Sequence, residues 1–213
     1  TFLSNGATSS GGAMYVASGS TPTMTRCRFL DNTATAAGGA IFNSSSAVQL
    51  NSCEFSGNYA PLGGALQNFG SSATLTNTTV AYNTATTGGG IVNNNSTTSL
   101  NSCILWGNSD SGGADQSAQV HGLDPFVDYT CLQGWTTSFG GVGNHGLDPL
   151  FVDHNGPDNT VGTQDDNISL RSASPCINAG DPTTSFVSAE LDLANHPRVL
   201  CNRVDMGAYE FGI

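Results

Sequence analysis

Gly38-Gly39-Ala40-Ile41, Ala47-Val48-Gln49-Leu50 and Phe55-Ser56-Gly57-Asn58 follow one another in one stretch of the chain, and the same signals return about every 25 residues. The Phe-x-x-Asn signal stands at Phe2–Asn5, Phe29–Asn32 and Phe55–Asn58, and in altered form at Val80–Asn83 and Leu105–Asn108. The double glycine stands at Gly11-Gly12, Gly38-Gly39, Gly63-Gly64, Gly88-Gly89 and, more weakly, Gly112-Gly113. A fixed period of this length is the mark of stacked supersecondary units.

Aligning the repeats produces columns. Met24, Leu50, Leu75 and Leu100 form one, Phe29, Phe55, Val80 and Leu105 another, and Met14, Ile41, Leu66 and Ile91 a third. Apolar residues alternate over short runs, which is the two-residue period of a strand, and no stretch sustains a helical period. Gly, Asn, Ser and Thr fill the intervals and favour turns. Two or three short strands per period, separated by such turns, predict an all-β, single-stranded right-handed parallel β-helix. About eight coils fit the 213 residues as one continuous solenoid, with regular coils over 1–108 and less regular, acidic coils over 109–213.

Coils about 4.8 Å apart place like residue on like. Asn43, Asn68 and Asn93 then form one ladder of stacked amides, and Asn32, Asn58, Asn83 and Asn108 a second. Cys27, Cys53 and Cys103 share a column with Thr78, which predicts small buried thiols rather than disulfides. In the C-terminal region, Cys176 and Cys201 either pair or stay reduced.

The charge is −11, with no Lys and five Arg. That balance argues against nucleic acid or an anionic membrane as partner, because both need clustered cations. Residues 1–108 are neutral, so all the excess acid lies in 109–213. No apolar run is long enough for a transmembrane segment. Little charge and abundant Ser, Thr and Asn suit an extracellular protein.

The sharpest candidate site is the loop from Asp153 to Asp166. Asp153, Asn155, Asp158, Asp165 and Asp166 offer oxygen donors, and Gly156 and Gly162 permit turns, which together suit Ca²⁺. His121 and His145 are equivalent positions of a second internal repeat, His121-Gly122-Leu123-Asp124-Pro125 and His145-Gly146-Leu147-Asp148-Pro149, and are expected to stack one coil apart in a structural role. No nucleophile elbow is present, no Cys has an evident partnered base, and Arg26 and Arg28 face outward without forming the basic cluster a lyase uses. No catalytic residues are assigned.

The Gly-Gly-Ala-Ile and Phe-x-x-Asn signals resemble the β-helix repeats of polymorphic outer-membrane-protein type. Tyr129-Thr130-Cys131-Leu132-Gln133-Gly134-Trp135, Asp148-Pro149-Leu150-Phe151-Val152-Asp153, Ser174-Pro175-Cys176-Ile177-Asn178-Ala179-Gly180-Asp181 and Val204-Asp205-Met206-Gly207-Ala208-Tyr209-Glu210 resemble hallmarks of the bacterial choice-of-anchor Q domain. The resemblance implies a secreted or bacterial cell-surface protein. The expected function is a non-catalytic structural or adhesive one, with surface glycans as partners. The alternative is a carbohydrate-binding or polysaccharide-degrading β-helix protein, distinguished by convergent carboxylates in a groove. The chain opens on Thr1-Phe2-Leu3-Ser4-Asn5, already within a Phe-x-x-Asn signal. That implies a fragment of a longer protein, a cap folding back from later in the chain, or end-to-end stacking of copies into filaments.

Overall fold

The computed structural model describes residues 1–183, 190–199 and 203–212. Cys201 lies outside these, and with it the expected Cys176–Cys201 pairing. The chain is all-β, winds as a right-handed parallel solenoid, and has a single short helix, Gln116–Gln119, among the described residues. There are about five coils, not eight, and each full coil has four strands rather than two or three. The coil from Arg28 to Asn51 shows the plan, with strands Arg28–Leu30, Thr33–Ala34, Ile41–Ser44 and Ala47–Asn51.

Each strand pairs in parallel with its equivalent one coil away, which generates four sheets. The first has six strands, from Phe2–Leu3 to Cys131–Leu132. The second runs from Gly6–Ala7 to Thr84–Thr87, the third from Met14–Val16 to Val120–Gly122, and the fourth from Thr23–Thr25 to Phe126–Asp128. The aligned columns are the observed register: Phe2, Phe29, Phe55, Val80, Leu105 and Leu132 in the first sheet, and Met24, Leu50, Leu75, Leu100 and Val127 in the fourth. Their side chains fill the solenoid, with Phe2, Phe29 and Phe55 stacked at 4.7 and 4.5 Å between ring centroids.

Corners need one left-handed residue each, which explains why polar residues and glycine recur there. Arg26, Ser52, Asn77, Ser102 and Tyr129 form one such column, all with φ between 46° and 55°. The second glycine of each pair has a different reason. A Cβ at Gly39 would lie 2.1 Å from the carbonyl oxygen of Gly64, so coil spacing itself excludes a side chain.

Both asparagine ladders form. Asn5, Asn32, Asn58, Asn83 and Asn108 pass hydrogen bonds of 2.8–2.9 Å down the axis, and the run ends where Asn108 donates to Gln119 Oε1 at 2.7 Å. Asn43 donates to Asn68, and Asn68 to Asn93. Val16 occupies that column one coil earlier, and Asn43 Oδ1 is left buried without a partner. Cys53 and Cys103 are buried free thiols, and burial raises both to about 12.

The tail of the solenoid is covered. Gln116–Gln119, capped by Asp115, and the edge-to-face pair Trp135 and Phe139 close on the last coil. Beyond Leu132 the chain adds no parallel coil among the described residues. It turns back along the outside of the first sheet and covers it. Phe151–Asp153 pairs antiparallel with Asn167–Leu170, and Phe151, Ile168, Leu170, Cys176 and Met206 pack on Ala81, Ile104 and Cys131 as a second core. The reason lies in the strands. Ile104-Leu105 and Phe29-Leu30 are apolar on both faces, so the first sheet has to be buried twice.

Candidate functional site

Three places in the molecule gather polar chemistry. The first is the loop that the sequence assigns to Ca²⁺. Asp158, Asp165 and Asp166 bring carboxylate oxygens within 4.8 Å of one another. Asp153 is not in that group; it closes a strand and pairs in register with Asn167. Asp166 Oδ2 accepts from the N–H groups of Gly162 and Thr163 at 2.6 and 3.2 Å. Thr163 Oγ1 donates to Asp165 Oδ1, which holds that carboxyl below its ordinary range, while burial lifts Asp166. The loop rests on the solenoid, because Gly162 lies against Gly57 at a corner where neither could carry a side chain. Hard carboxylate oxygens on a Gly-turned loop fit Ca²⁺ in chemistry.

The second place is a charge network under the C-terminal motif. Arg198 is fully buried and pairs with Glu210 Oε1 at 3.1 Å. Its guanidinium also donates to the Gly207 carbonyl. Asp192, Asp205 and Glu210 surround it, all buried. Burial pushes Glu210 up to about 8, against the pull of Arg198, and burial also raises Asp205. A cavity of about 770 Å³ beside Asp205, Glu210, His196 and Leu170 makes this the obvious place to seek a catalytic pair. The carboxylates are already committed to backbone. Asp205 accepts from Asn178 N and Phe211 N, both at 2.6 Å. Asp192 accepts from His196 N and Glu210 N at 2.7 and 2.8 Å, and Glu210 from Asp205 N at 3.1 Å. These bonds fasten three chain segments to one another.

The third place is a surface groove of about 400 Å³ where the second and third sheets meet, lined by Leu62, Gln67, Thr87, Val92, Asn94 and His121. Gln67, Val92 and His121 belong to the outward column of the third sheet, which continues through Phe42 to Tyr15. Tyr15 and Phe42 stack at 5.1 Å, and Tyr15 and Phe69 are half-exposed. No charged residue lines this groove among the described residues.

Residues 1–122, more than half of the chain, match the family model for the right handed beta helix region. The chain belongs to the right-handed β-helix family. No curated protein and no solved structure matches it. Within this β-helix, no helix of the described residues is long and apolar enough to cross a membrane.

The expected stacking of His121 and His145 is not found. His121 pairs with Val92 on the third sheet, whereas His145 bridges to Cys131 beside the first, because the chain leaves the solenoid between the two repeats. Arg26 and Arg28 do point outward, but Arg28 lies under the C-terminal half in a two-pronged pair with Glu54, to which Tyr209 donates. The network around Arg198 and the groove were both missed in sequence. Asp205 and Glu210 share one C-terminal motif, but Asp192 and Arg198 lie outside every motif, and only the fold brings the four together.

Proposed function

We propose that this β-helix is a non-catalytic extracellular protein of the bacterial surface, whose coils present the groove between the second and third sheets to neutral glycans. The observation that carries the reading is the make-up of that groove: amide, hydroxyl and imidazole groups with no carboxylate, next to the exposed ring of Phe69, which pairs in register with Asn94. Sugars are held by hydrogen bonds to such planar amides and by apolar contact with aromatic faces. The resemblance of residues 129–210 to choice-of-anchor Q motifs supports the surface location. The carboxylates a glycosidase would need are, near Arg198, held by backbone N–H groups. Lateral contact is favoured over head-to-tail stacking, because Trp135 and Phe139 cover the tail end.

In the same proposal, Asp158, Asp165 and Asp166 hold Ca²⁺, which stiffens the loop against the Gly57 corner. The test of the glycan reading is binding of the purified chain to an array of neutral and acidic oligosaccharides. Retention of neutral glycans, lost in Asn94→Ala and His121→Ala with unchanged melting, is the expected result. Absence of any binding, or release of cleaved products, overturns it.

A further inference from the structure

Cys131 lies on the last strand of the first sheet, on its outer side, where it joins the second core. Cys176 comes from the C-terminal half and packs against it; both side chains are fully buried. His145 is held beside them by backbone: Leu132 N donates to His145 O at 2.9 Å, and His145 N to Thr130 O at 3.2 Å. One ligating atom from each of the three residues lies within 4.8 Å of the others.

The hydrogen bonds give each group a protonation state. Cys131 Sγ–H donates to the Leu147 carbonyl at 3.1 Å. Leu147 N–H donates to His145 Nδ1 at 3.3 Å, which leaves the ring proton on Nε2. Nε2 is buried and has no hydrogen-bond partner. The Cys131 thiol, and after it the His145 ring, draw Cys176 down to about 6, while Cys131 is pushed well up by Cys176 and by burial. The two sulfurs thus face each other across the joint between solenoid and cover, close enough to lie within 4.8 Å of one another. A metal bound through Nε2 would require the ring proton on Nδ1, where it would meet the Leu147 N–H.

We propose that Cys131 and Cys176 close to a disulfide that fastens the C-terminal half to the last coil. The oxidant is a small-molecule disulfide such as oxidised glutathione. The Cys176 thiolate attacks one of its sulfurs, forming a mixed disulfide and expelling one thiolate. Cys131 gives its proton to that departing thiolate and attacks the Cys176 sulfur, expelling the second. Two protein thiols are oxidised and one small disulfide is reduced to two thiols. Both sulfurs are buried once the cover has docked, so exchange belongs to folding, and the finished bond is shielded from reductant. This inference does not rest on the glycan reading.

The experiment folds the full chain in a glutathione redox buffer, quenches in acid, alkylates under denaturing conditions and maps the peptides by mass. The expected product is a joined peptide pair containing Cys131 and Cys176, two hydrogens lighter than the reduced pair, with Cys27, Cys53 and Cys103 alkylated. Full alkylation of Cys131 and Cys176 overturns the proposal, as does pairing of Cys176 with Cys201. Retention of both thiols with one equivalent of bound zinc overturns it in favour of a metal centre.

Discussion

The coils and the cover bury comparable polar groups by opposite means. In the coils, a buried asparagine is bonded to its copies in the coils above and below, so Asn58 is held by Asn32, Asn83 and the Phe29 carbonyl through one repeated geometry. In the cover, each buried carboxylate is bonded to a different, unrepeated N–H, and one arginine stands among three acids. Repetition spreads the cost of a defect over neighbours that share the same bond. The cover has no such redundancy, and its stability concentrates in single residues such as Arg198 and Tyr209.

The comparison breaks most severely inside the coils. Leu50→Asp places an unpaired charge between Met24 and Leu75 in a fully closed interior. It should cost about 4–5 kcal/mol or more and prevent folding of the whole chain. Loss of the β-dominated circular dichroism in the soluble product checks this. Arg198→Met should cost about 3–5 kcal/mol, because it leaves Asp192, Asp205 and Glu210 buried without a cation. Here the damage should stay local. Hydrogen exchange is expected to rise across 190–199 and 203–212 while the amides of the Asn58 and Asn83 coils remain protected. Equal deprotection of both regions would show that coils and cover fold as one unit.

A milder cut tests the ladder itself. Asn58→Ala removes the acceptor of Asn32 N and the donor to Phe29 O, and should destabilise by about 2–3 kcal/mol. Urea melts of this variant and of Asn5→Ala, at the end of the same ladder, should differ, with the interior position costing more.

These contrasts also explain what could be read from the sequence. The columns Phe29–Phe55 and Leu50–Leu75–Leu100 are visible because one coil's solution is written again about 25 residues later, and register follows from the repeat. Four strands per coil were harder to see, since Thr33–Ala34 and Gly6–Ala7 are too short to show alternation. The cover was not legible as a cover. Its clue was the loss of alternation in Ile104-Leu105, where both faces are apolar, and a single such run also fits an ordinary buried strand. Of the candidate site, Asp158, Asp165 and Asp166 converge because they share one loop, whereas Asp153 is drawn into a strand that spacing alone does not reveal.

The two regions should also part company with pH. Residues 1–108 carry two acids and two arginines and have little to titrate. In the cover, Glu210 rises from about 4.5 to about 8 on folding, chiefly through burial. Between those values the folded state holds the proton more tightly than the unfolded chain. Stability contributed by this group is therefore complete below about 4.5 and is lost as pH rises through about 8. Asp205, also raised by burial, acts in the same sense. Denaturant melts from pH 5 to 9 should show the cover weakening with rising pH, and Glu210→Gln should flatten that slope. A slope unchanged in the variant would place the effect elsewhere.

The smallest expected effect separates the regions by metal. If Ca²⁺ occupies the carboxylates of Asp158, Asp165 and Asp166, it stabilises only the conformation that brings them together. At free Ca²⁺ ten times the dissociation constant the gain is about 1.4 kcal/mol, by the logarithmic dependence of linkage. A chelator should therefore lower the melting temperature by a few degrees, and should raise hydrogen exchange around Gly162 and the Gly57 corner but not at the Asn43–Asn68 ladder. Asp165→Asn combined with Asp166→Asn should abolish the response while leaving the chelator-treated melting curve close to that of the parent. Asp153→Asn should leave the response intact, because Asp153 lies outside the converging group. Identical melting with and without chelator would remove calcium from the account and leave the loop held by Thr163 and the backbone bonds to Asp166 alone.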